Sequence, residues 1–86
     1  MAEREQIEPV HNEGAAPLTI VLEPWGIREE VAPGDYVLVV ARGPQGGQLE
    51  ITRVGDEITF FGWSESRVAV VRDAERAKAL YASSAK

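Results

Sequence analysis

His11 is the single histidine of this 86-residue chain, and there is no cysteine at all. A histidine can act as general base, proton shuttle or metal ligand, but each role needs partners. Zinc would require further His or Cys ligands that the chain does not contain. Ser64, Ser66, Ser83 and Ser84 offer hydroxyl groups, yet no histidine is placed to activate them and no Gly-x-Ser-x-Gly elbow occurs. Two pairs of adjacent carboxylates remain, Glu29 with Glu30 and Asp56 with Glu57. Neighbours on a strand point to opposite faces, so neither pair converges on a substrate and both read as solvated surface acids. Gly43-Pro44-Gln45-Gly46-Gly47 is glycine-rich but is not followed by Lys-Ser/Thr and a helix, so it is a flexible connection, not a phosphate loop. Asp35 beside Gly34 and Asp56 beside Gly55 lack the Asp-x-Asp spacing of a calcium loop and fit the hydrogen-bonding of turn backbone instead. These residues predict no catalytic set, no metal and no cofactor: the chain is expected not to be an enzyme.

What remains is aromatic. The two tryptophans stand beside glycines, in Glu23-Pro24-Trp25-Gly26 and Gly62-Trp63-Ser64, and Tyr36 also borders a turn. Aimed outward from one end of a small β domain, Trp25, Trp63 and Tyr36 could stack against a sugar ring or a proline, with Glu23, Arg28 and Glu65 as a charged rim. Aimed inward, the indoles would plug the end of the core, each N–H bonded to a loop carbonyl. The inward reading is the commoner fate of a turn tryptophan, and where an indole stays outside, its charged rim suits a protein contact better than a sugar.

The elements that must position these residues are short. Leu18–Glu23 alternates with Leu18, Ile20 and Leu22 on one face, and Ile27–Val31 is a charged strand suited to an edge. Ala32-Pro33-Gly34-Asp35 is a turn, after which Tyr36–Ala41 is apolar on both faces and reads as a central buried strand. Gln48–Arg53 alternates with Leu49 and Ile51 inward, Gly55-Asp56 closes a hairpin to Glu57–Phe61, and Arg67–Val71 follows. Six strands at roughly ten-residue spacing predict a mainly β domain, a small antiparallel sandwich or barrel. Residues 1–17 show no apolar period and are expected to be a flexible acidic leader; residues 18–72 are the β domain. At Asp73 the period changes, and residues 73–86 read as a short C-terminal helix and tail with Asp73 as its N-cap.

Charge and composition exclude other classes. Net charge is −5, with an acidic body and a basic last segment carrying Arg72, Arg76, Lys78 and Lys86. An acidic body with no basic stripe disfavours nucleic acid. The longest apolar run is about five residues, far below the roughly 20 that span a bilayer, so no membrane partner is expected. The absence of disulfides and the polar, acidic start predict a soluble, cytoplasmic protein. Pro-Gly turns before buried strands make the pattern similar to that of cupredoxins, but copper needs two histidines and a cysteine, and this chain has one and none.

The expected function is therefore a non-enzymatic interaction module that self-associates as a homo-oligomer or docks on a protein partner through a sheet face or edge strand. Valine-rich strands apolar on both sides motivate it, and the oppositely charged ends could pair across subunits. The alternative is a small-ligand or carbohydrate-binding module using the turn aromatics.

Overall fold

A computed structural model describes residues 3–73 and residue 75. It contains seven strands: β1 (Glu3–His11), β2 (Leu18–Glu23), β3 (Ile27–Val31), β4 (Tyr36–Pro44), β5 (Glu50–Val54), β6 (Glu57–Phe61) and β7 (Arg67–Val71). They form two packed sheets, one ordered β1-β4-β7 and the other β3-β2-β6-β5. The protein is a mainly β sandwich. The C-terminal helix expected over 73–86 falls, but for two residues, outside the described part of the chain.

Alternation places the core. Leu18, Ile20 and Leu22 of β2, Val37, Val39 and Ala41 of β4, and Ile58 and Phe60 of β6 all turn into the space between the sheets. As the apolar run 36–41 predicts, β4 is the central strand of its sheet, with Val37, Leu38 and Val39 all buried. Val21 faces the outside of the other sheet but is also buried. Arg28 of β3 reaches across β2 to Glu57 of β6, at 2.7 Å, and its aliphatic stem lies over the strand between them.

Four expectations need correction. Residues 3–11 are not a flexible leader: β1 pairs over its whole length with β4, from Glu3 opposite Pro44 to His11 opposite Tyr36. It carries no apolar period because only Val10 enters the core, while the inward row above it is polar and hydrogen-bonds within itself and to the loop after β4. There Gln6 donates to Glu8 Oε2 at 2.9 Å and accepts from the Leu49 backbone N–H at 3.0 Å. Pro9 is tolerated because β1 is an edge strand.

Second, β1 brings the strands among the described residues to seven where about six are expected, and the fold is not wholly antiparallel, since β2 and β6 run parallel. The chain alternates between sheets, so the β5–β6 hairpin returns to its sheet with β6 beside β2 in the same direction. Third, β5 begins at Glu50, and the buried Leu49 precedes it in the loop. Fourth, Ile51 is 44% exposed because the three-stranded sheet has no strand to lay over β5.

Candidate functional site

Because β2 and β6 run in the same direction, the turns that follow them emerge at one end of the sandwich. Trp25 and Trp63 share this end, and the structure gives them different surroundings. Trp63 is a plug. It packs against the core, its Nε1–H donates to the Pro44 carbonyl at 2.9 Å, and Arg4 places its guanidinium 5.9 Å from the ring centroid. The ring also lies against the Gly47 backbone, where an added Cβ would fall 2.0 Å from Cδ1. Arg4 closes the assembly by donating to the Gly47 carbonyl at 2.5 Å.

Trp25 follows a cis Glu23–Pro24 bond and is 44% exposed. Its six-membered ring rests on Gly62, where a Cβ would meet Cη2 at 2.7 Å, and the Gly62 N–H ties the two turns together through the Glu23 carbonyl at 2.9 Å. Beneath lies Ser66, 7% exposed, whose Oγ has no hydrogen-bond partner.

The remaining candidates do not join them. Tyr36 opens β4 at the opposite end and packs on His11, ring centroids 5.9 Å apart at 60°. Arg28 is on the outer face, held by Glu57. Glu65 is at the tryptophan end but exposed in the turn closed by the Ser66 N–H to the Trp63 carbonyl at 2.9 Å. Its φ of 66° is left-handed, a conformation that costs a side-chain-bearing residue about 1–2 kcal/mol. Replacing Glu65 with Gly is therefore expected to raise the free energy of unfolding by about 0.5–1 kcal/mol, after glycine's extra chain entropy is charged against it. Urea denaturation should show a higher midpoint at unchanged slope.

The carboxylate pairs are split as the strand geometry requires. Glu29 points toward the gap between the sheets and accepts from Arg72 Nη2 at 2.8 Å, while Glu57 takes Arg28. Among the described residues, no three His, Asp or Glu side chains stand close enough together to hold a metal ion.

One feature of the open flank had no distinct mark in the sequence. Between the edge strands β3 and β7 runs an apolar cleft lined by Leu22, Ile27, Val68 and Val70, ending at the Glu29–Arg72 bridge. Ile27 is 44% exposed, and Val68 and Val70 are only half-buried. The four edge strands differ in how they guard their unpaired backbone. β1 carries Pro9 and a run of charges, β3 carries Arg28, Glu29 and Glu30, and β5 carries Glu50 and Arg53. Proline and charge are the usual devices against edge-to-edge pairing. After Arg67, β7 has neither, only Val68-Ala69-Val70-Val71. The signal is visible once the strand order is known, and only then, because an edge cannot be told from a centre by alternation alone.

Comparison of the chain with protein-family models, with curated proteins and with solved structures found no match.

Proposed function

We propose that the chain is a non-enzymatic protein-interaction module that accepts an extended segment, from a protein partner or from a second copy of itself, along the edge of β7. The observation that carries this reading is the apolar edge of β7, which among the described residues has neither charge nor proline after Arg67, beside a half-open cleft, while the other three edges are charged or proline-bearing. An added strand would take its main-chain hydrogen bonds from β7 and send alternate side chains into the cleft against Ile27, Val68 and Val70. A second copy fits the same rule. With β7 antiparallel to itself about Ala69, Val68 of one copy stands opposite Val70 of the other, a β-branched cross-strand pair. The cytoplasm is the compartment proposed, because a small domain built without disulfides suits a reducing environment.

The aromatic-platform reading is weaker. Trp63 already has one face on Gly47 and Arg4 near its ring, and Tyr36 lies at the far end, so only Trp25 is left.

Sedimentation velocity up to about 200 µM, with the synthetic peptide Ser-Arg-Val-Ala-Val-Val-Arg as a second probe, tests the proposal. Concentration-dependent association or peptide binding is expected. It should drop at least about tenfold in Val70→Lys, which puts a charge on the inward row of the edge but leaves the long stem room to reach solvent. Circular dichroism confirms that the variant folds. A chain that stays monomeric and ignores the peptide sinks the proposal.

A further inference from the structure

The outer face of the four-stranded sheet holds a second surface, independent of the β7 edge. The register sets Phe61 of β6 directly between Glu23 of β2 and Glu50 of β5. Strands stand about 4.8 Å apart, so the two glutamate Cα atoms lie about 10 Å from each other with the phenyl ring between them. Phe61 is 42% exposed. The ion pairs of the described residues involve Arg28, Arg42, Arg72 and His11 but neither Glu23 nor Glu50. In the next outward row the same strands carry Val21, Thr59 and Thr52, so no cation is supplied from β2, β6 or β5. Arg28, beside Val21, is already held by Glu57.

A face kept only for water has no use for a large apolar ring at position 61. Elsewhere the same face places outward Thr19, Thr52, Thr59 and Glu57 with the smaller apolar side chains of Val21 and Val54, and Phe61 is its one aromatic ring among the described residues. Trp25, exposed and resting on Gly62, adds a second aromatic at the same end. A ring flanked by two carboxylates matches one side-chain chemistry best. A guanidinium can lie flat on the phenyl face through cation–π attraction while its N–H groups reach the carboxylates at either side. An ammonium is a compact point charge that satisfies one carboxylate at a time, an anion would be repelled, and a neutral sugar could donate hydroxyls to the carboxylates but brings no positive charge to answer them.

From this charge complementarity we infer that the Glu23–Phe61–Glu50 row binds an arginine side chain presented by a basic segment of a partner protein. The partner need not be the one that occupies β7.

The test is a titration of the 15N-labelled chain with acetyl-tetra-arginine amide and, separately, acetyl-tetra-lysine amide at low salt. Amide shifts should be saturable and centred on Glu23, Glu50, Phe61 and Gly62, and the arginine peptide should bind at least about threefold tighter than the lysine one. The double substitution Glu23→Gln with Glu50→Gln should weaken the arginine peptide at least about tenfold. Phe61→Thr, which copies its neighbour Thr59, should erase the preference for arginine over lysine. The double glutamine variant alters no core residue, so it decides the matter even if Phe61→Thr folds poorly. Shifts spread over every acidic surface, or affinity within twofold of the parent in the double variant, would overturn the inference.

Discussion

Gly47→Ala is expected to destabilise the protein by about 3 kcal/mol, a large loss for a methyl group added to a surface loop. A Cβ at this position would fall 2.0 and 2.1 Å from Cδ1 and Cγ of Trp63, far inside contact distance. The clash is with a ring and not with a flexible chain end, so it cannot be relieved by a rotamer change. Trp63 would have to give up its 2.9 Å bond to the Pro44 carbonyl or its contact with the core, or the loop would have to lift and release the Gly47 carbonyl from Arg4. Overpacking usually costs about 1–3 kcal/mol, and here the lost indole hydrogen bond adds to it. The mechanism makes a second demand. In a Trp63→Ala background the same Gly47→Ala change should cost less than about 0.5 kcal/mol, because nothing remains to be struck, and the cycle would show coupling of more than 2 kcal/mol. Urea unfolding followed by circular dichroism measures all four corners. A cost below about 0.5 kcal/mol in the parent would mean that the loop simply moves aside and that Trp63 is not held from that side.

The same tryptophan shows where the sequence was readable. An indole beside a turn predicts a plug bonded to a loop carbonyl, and Trp63 has that geometry with Pro44. Trp25, in the same kind of context four residues from the next strand's centre, is 44% exposed. Nothing local separates them: what differs is that Trp63 has loop 45–49 to lie under, and that loop's position follows from the sheet arrangement. The strands β2, β4, β6 and β7 were legible because each puts alternate apolar side chains into one core. β1 was not, because an edge strand beside a loop can satisfy Arg4, Gln6 and Glu8 by hydrogen bonds to each other and to that loop, leaving no apolar period to detect. Strand direction was equally hidden, since the alternation of β6 is the same whether it pairs parallel or antiparallel with β2. The interaction surfaces follow suit. The unguarded edge of β7 and the Glu23–Phe61–Glu50 row exist only after strands have been ordered and registered, and no spacing along the chain announces either.

Asn12 is the second position where a single change should have a large effect, and it lies at the other end of the sandwich. It is 2% exposed, and every polar group it owns is engaged. Nδ2 donates to the carbonyls of Ala16 at 2.8 Å and Val31 at 2.9 Å, and Oδ1 accepts from the Gly14 N–H at 3.0 Å. Its backbone N–H donates to the Asp35 carbonyl at 3.0 Å, and its carbonyl accepts from Gly34 at 2.7 Å. The side chain thus pins the end of β1 to the connection before β2 and to the end of β3, while the backbone of the same residue holds the turn before β4. Asn12→Leu keeps the volume but leaves two carbonyls and an N–H without partners, at about 1 kcal/mol or more each, for an expected loss of about 3 kcal/mol. Asn12→Asp separates donor from shape. At neutral pH a carboxylate would face the Ala16 and Val31 carbonyl oxygens with no proton to give, so it should cost at least as much as leucine. Burial among acceptors favours the protonated acid, so its folded-state pKa must rise above the unfolded value, and the deficit should shrink as pH falls through that raised value. Chemical denaturation of Asn12→Asp at pH 7 and pH 4, each compared with the parent at the same pH, reads this directly. A deficit that is equal at the two pH values would show that Asn12 acts by shape alone and that its two donated hydrogen bonds contribute little to holding the strands in place.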